Sequence, residues 1–129
     1  MNKNLKKITS MLAVVMLCST SAYAGGTYKK QTVIVPKLGG AGSSAKETKA
    51  TTGRDGNIMN PTVGNNYTVT AQLICGGSPG NGVKVTTGTK VIFLPSKSTH
   101  KAGQSSHILF KNKIGTLVDV QVVGQMRTN

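Results

Sequence analysis

Carboxylates are nearly missing from this chain of 129 residues, which has three Asp and Glu against 16 Lys and Arg and a formal net charge of +13. Glycoside hydrolysis needs two carboxyl groups at a set separation, and calcium sites need several hard oxygen ligands, so the composition argues against both. Asp119 alternates with valines and is expected to face solvent. Asp55 lies in the turn-forming Arg54, Asp55, Gly56, where its side chain would cap backbone. Cysteine is equally sparse, with Cys18 and Cys75 alone, and tryptophan is absent. Aromatic residues make up 4% of the chain, too few for the stacking platforms of single-strand nucleic-acid readers. Arginine occurs only at Arg54 and Arg127, so sequence-specific nucleic-acid recognition, which leans on bidentate arginines, is not expected. No apolar run approaches the roughly 20 residues of a bilayer span, and no transmembrane helix is expected.

The first feature present is a leader. Lys3, Lys6 and Lys7 precede an apolar stretch from Ile8 to Leu17, and Ala22 and Ala24 place small residues where a signal peptidase requires them. Residues 1–24 therefore read as a secretory signal peptide cleaved before Gly25, with residues 25–129 as a single secreted β domain. Bulky Leu17 before Cys18 argues against lipid attachment. Cleavage removes three lysines and Cys18, leaving a net charge of +10 and Cys75 as the lone thiol. No internal disulfide is then possible, and the fold must rest on apolar burial and backbone pairing.

Apolar and polar residues alternate in short runs rich in Val, Ile and Thr, with no sustained helical period. Strands are expected at 31–35, 46–52, 67–75, 83–86, 89–94 and 106–110, and a closing strand runs through Val118, Val120 and Val122. In the clearest run, Tyr67, Val69, Ala71, Leu73 and Cys75 share the face expected to be buried, which makes Cys75 an inert core thiol. Turn-rich breaks fall at 39–44, 53–61, 76–82, 95–103 and 112–115, and the glycine-rich stretch 76–82 reads as a flexible connection. About seven short antiparallel strands give an all-β fold, a small antiparallel β-sandwich, with a small β-barrel as the alternative.

Catalytic constellations are weak. Ser105, Ser106 or Cys75 could act only with His100 or His107, and no nucleophile elbow is present, so a small hydrolase is the least favoured function. Cys75, His100, His107 and Asp119 match no zinc-ligand spacing, and Val83 follows Gly82 where a phosphate loop needs lysine. Neither an enzyme nor a cofactor is expected. The lysines are the functional lead: a strongly basic exported protein draws in anionic wall polymer or lipid headgroups. Lys84, Lys90, Lys111 and Lys113 are the expected contact residues, acting through charge spread over a monomer's surface. A leader followed by a cysteine-poor basic β domain also resembles the plan of small secreted bacterial proteins, some of them bacteriocin-like. A secreted antagonist or enzyme inhibitor acting on a target protein is therefore the alternative.

Overall fold

The computed structural model describes residues 25–129; the expected leader, with Ala22 and Ala24, lies outside the described residues. Gly25 is the first of them. The chain forms a sandwich of two antiparallel sheets, so the alternation resolves into two packed layers and not a closed barrel. One sheet has the order β1 (Lys29–Val35), β10 (Val120–Arg127), β4 (Gly56–Val63), β8 (Val91–Leu94). The other has β2 (Ala41–Ser43), β9 (Ser105–Lys111), β5 (Val69–Cys75) and β6 (Ser78–Pro79), with β3 (Glu47–Thr48) beside β9 and β7 (Val83–Val85) beside β5.

Alternate residues of each strand meet in the core. Val33, Val35, Ile58, Val120, Val122 and Met126 from the first sheet face Val69, Ala71, Leu73, Ile108 and Phe110 from the second. Burying each such side chain contributes about 1.5–3 kcal/mol, which sets the register, since a slip of one residue would turn the whole set to solvent. Cys75 completes the inner face of β5 and is a buried free thiol, as its place in the alternation required.

Several expectations are corrected. The stretch 53–61, read as a break for its glycine, asparagines and proline, contains most of β4, a central strand between β10 and β8. Its breaker residues serve a bulge: Asn60 has φ 50°, and the register with β10 shifts between Val123 and Gln125. Pro61 follows Asn60 there, in the one setting where a central strand tolerates a missing N–H. Within 39–44, β2 pairs with β9, and Gly42 passes so close to the Ile34 carbonyl that no Cβ would fit. Tyr67 lies before β5 and is 37% exposed instead of core-facing. The closing strand starts at Val120 and runs on to Arg127, leaving Val118 exposed. The stretch 76–82 connects strands largely at the surface, but it contains β6, which pairs with β5, and the buried Gly80, whose N–H donates to the Leu73 carbonyl at 2.7 Å.

Candidate anion-binding surface

All three carboxylates are committed to holding the fold. Asp55 Oδ1 accepts the Ser96 N–H at 2.9 Å, and Asp119 Oδ1 accepts the Lys37 N–H at 2.9 Å. Glu47 is buried, accepting long hydrogen bonds from Gln31 Nε2 at 3.4 Å and Thr128 Oγ1 at 3.5 Å. Burial pushes its carboxyl above the usual range, against the pull of nearby Lys29. Neither outer sheet face carries a carboxylate in its paired registers, so the lysines there keep their full attraction for anions.

Register then decides which lysines meet. Thr70 on β5 is opposite Lys84 of β7 on one side and Lys111 of β9 on the other, and all three are exposed. Directly paired residues point to the same face, so Lys84 and Lys111 flank Thr70 in one row, two strand spacings or about 10 Å apart. The same face continues through Gln72 and Leu109 to Ile74 and His107. Lys90 and Lys113 stand outside this row. Lys90 is in the β7 to β8 connection, its Nζ donating to Thr86 Oγ1 at 2.6 Å. Lys113 is exposed in the connection after β9, where its carbonyl accepts the Gly39 and Thr116 N–H groups. Of the four expected contact residues, the structure brings two together.

A second basic feature was not singled out from sequence. Lys29, Lys30 and Lys46, with Gln31, Ser43 and Glu47, line an open cleft of about 400 Å³ where β1 runs past β2 and β3. Only the meeting of the two sheets makes neighbours of these residues, so no local pattern could have marked them. Lys49, by contrast, leaves the surface altogether. It is 1% exposed, and its Nζ donates to the carbonyls of Arg54 at 2.6 Å, Thr128 at 3.0 Å and Asn129 at 2.8 Å. Those three acceptors satisfy all three ammonium donors, while burial lowers its pKa.

The candidate catalytic groups serve the fold. His100 is fully buried. The Lys97 N–H donates to its Nδ1 at 3.2 Å, which leaves Nε2 as the protonated nitrogen donating to the Ser78 carbonyl at 2.9 Å. Ser96 Oγ lies 3.1 Å from the same Nδ1, and burial lowers the ring's pKa. The ring nitrogens are engaged by Lys97, Ser96 and Ser78, and none of the candidate nucleophiles Ser105, Ser106 and Cys75 is hydrogen-bonded to them. Burial raises the Cys75 pKa, and the thiol lies 3.2 Å from Gln104 Oε1. His107 is half-buried on the outer face, its pKa lowered by burial and then by Lys46. Among the described residues, no three His, Cys, Asp or Glu are grouped to hold a metal. None of the helices there is long and apolar enough to cross a membrane.

The fold defines an antiparallel β-sandwich. No family model matches the chain, and no curated protein matches it. Among solved structures it is similar to a carbohydrate-binding module in complex with calcium and xylotriose, at 12% identity and a TM-score of 0.46, over 79% of this chain and 89% of that one. That match identifies no binding residue here.

Proposed function

We propose that residues 25–129 form an exported, non-catalytic protein that binds anionic wall polymer or anionic lipid headgroups through its lysines. The observation that carries this reading is the row of Lys84, Thr70 and Lys111 on a sheet face without carboxylates. Exposed lysines about 10 Å apart across a sheet can follow a repeating anion without a pocket, and each contact is worth only about 1 kcal/mol in water. Affinity therefore comes from several such contacts and falls steeply with salt, because each one displaces a counterion.

Co-sedimentation of the secreted protein with isolated cell walls, phosphatidylglycerol vesicles and phosphatidylcholine vesicles across ionic strength tests it. Binding should follow the anionic supports, and Lys84→Glu with Lys111→Glu should weaken it more than Lys97→Glu with Lys101→Glu. The latter lysines lie in the loop against Cys75, at the other end of β5. Reversing Lys84, Lys90, Lys111 and Lys113 together should abolish binding with an unchanged circular dichroism spectrum. Salt-insensitive binding, or equal losses from both lysine pairs, would refute the assignment to this face. Intact mass of the secreted product checks the expected start at Gly25. The alternative of an antagonist acting on a target protein is favoured by one feature, the edge strand β8.

A further inference from the structure

Strand β8 ends its sheet, paired with β4 on one side only. The Lys90 carbonyl accepts the Asn60 N–H at 2.8 Å, and the register continues as Val91 to Met59, Ile92 to Ile58 and Phe93 to Asn57. Hydrogen-bonded and non-bonded pairs alternate along an antiparallel ladder. Since Lys90 and Asn60 form a bonded pair, the N–H and C=O groups of Val91 and Phe93 point away from β4, along the open edge. No other strand among the described residues pairs with that edge. The side chains there are also open, Val91 being 43% and Phe93 62% exposed.

Edges of this kind are normally blunted by charge, proline or a bulge, because a bare one recruits another strand. Within the four residues of β8, Val, Ile, Phe and Leu, there is no charge, proline or bulge, and the first guard is Pro95 at the next outward position. Lys90 precedes it and Lys97 follows; Arg127, two strands in, shares the row of Phe93, held there by Asn57 Oδ1, while Lys30 stands on the opposite edge of the sheet. The nearest acid in the register, Asp55, is held by the Ser96 N–H. A second copy would bring the same positive charge to this edge and be repelled. An extended segment with an apolar centre and acidic ends meets both the apolar strand and its basic surround.

We infer that β8 is a docking edge for an extended, acid-flanked segment of a target protein, which adds as a further antiparallel strand beside Val91 and Phe93. The free backbone groups would supply hydrogen bonds, and the exposed Phe93 ring the apolar anchor. This surface is separate from the lysine row, so it stands whether or not the chain binds wall polymer.

The probe is a capped peptide of alternating valine and threonine with glutamate at both ends, titrated into the whole secreted protein while amide exchange is followed. The Val91 and Phe93 amides should become protected. Val91→Pro deletes one outward N–H at the first residue of the strand, where the pairing with β4 does not use it. It should weaken peptide binding about tenfold or more while leaving wall binding unchanged. Phe93→Lys, a change at an exposed side chain, should weaken it too, so the test does not depend on one variant folding. No binding or protection at this edge, equal binding of the peptide to wild type and both variants, or equal binding of a lysine-ended peptide would overturn the inference. A concentration-dependent dimer lost in Val91→Pro would overturn it in favour of self-pairing.

Discussion

Replacing Gly80 by alanine should damage the fold although the residue lies in a stretch whose composition reads as loose. A Cβ there would sit deep inside contact distance of the Pro95 carbonyl oxygen and 3.3 Å from the Leu73 carbonyl oxygen. Both obstacles are backbone, one in the centre of β5 and the other just after buried Leu94. Moving Pro95 drags Leu94 out of the core, and moving Gly80 breaks its hydrogen bond to Leu73. Overpacking of this kind costs about 1–3 kcal/mol, and the hydrogen bond adds about 1. Loss of glycine's unfolded-state freedom works the other way by about 0.4–1 kcal/mol. The balance is a destabilisation of about 1–3.5 kcal/mol, each kcal/mol lowering Tm by roughly 4–8 °C in a domain of this size. Gly115 is the control, having no heavy atom within 4 Å of the added Cβ and no positive φ. Alanine there should be neutral or stabilise by up to about 1 kcal/mol. Urea and thermal unfolding of both variants supply the measurement. A Gly80→Ala protein as stable as wild type would refute the packed seam between β6 and the end of β8, and loss of wall binding in that stable protein would make the stretch a ligand contact.

Leu73→Ala should cost about 2–5 kcal/mol in urea unfolding, because Leu73 is fully buried opposite Ile108, while Thr70→Ala on the wet face of the same strand should cost well under half of that. His100 is held neutral below its ordinary 6.5, so the unfolded chain takes up the proton first. It makes stability fall as pH drops below about 6.5 towards the folded-state pKa, with a shallower slope in His100→Gln; His107 adds to the fall, and Glu47, raised by burial, offsets part of it as pH approaches 4.5. Cys75 should resist alkylation in the native protein and react fully in denaturant; rapid native labelling would contradict its burial. Gly25 is buried, with Glu47 Oε2 3.4 Å from the site of an added Cβ. In a chain beginning at Gly25, Glu47→Gln should therefore destabilise at neutral pH by removing the carboxylate beside a new ammonium, and the same change in a chain extended beyond Gly25 should not.

The strands with the plainest alternation were legible from residue order. Val69 to Cys75 and Ser105 to Lys111 came out nearly as read, because one face of each is buried and alternation records that directly. β4 was hidden because Asn60 and Pro61 carry turn chemistry inside a strand, and only the partner strand shows that a bulge accommodates them. Lys49 was equally opaque. Its three acceptors include the Thr128 and Asn129 carbonyls, 79 and 80 residues away, so a residue that composition places on the surface is buried by contacts no local window contains.

The sequence by itself determined the all-β class and the excess of positive charge, since these follow from residue types and local periodicity. Which lysines stand side by side was decided only by tertiary pairing. Lys84 and Lys111 became neighbours through Thr70, Lys90 and Lys113 fell outside their row, and β8 was left as an edge. Charge is a property of composition. A site needs distance and direction, and here both come from strand order and register between segments far apart in the chain.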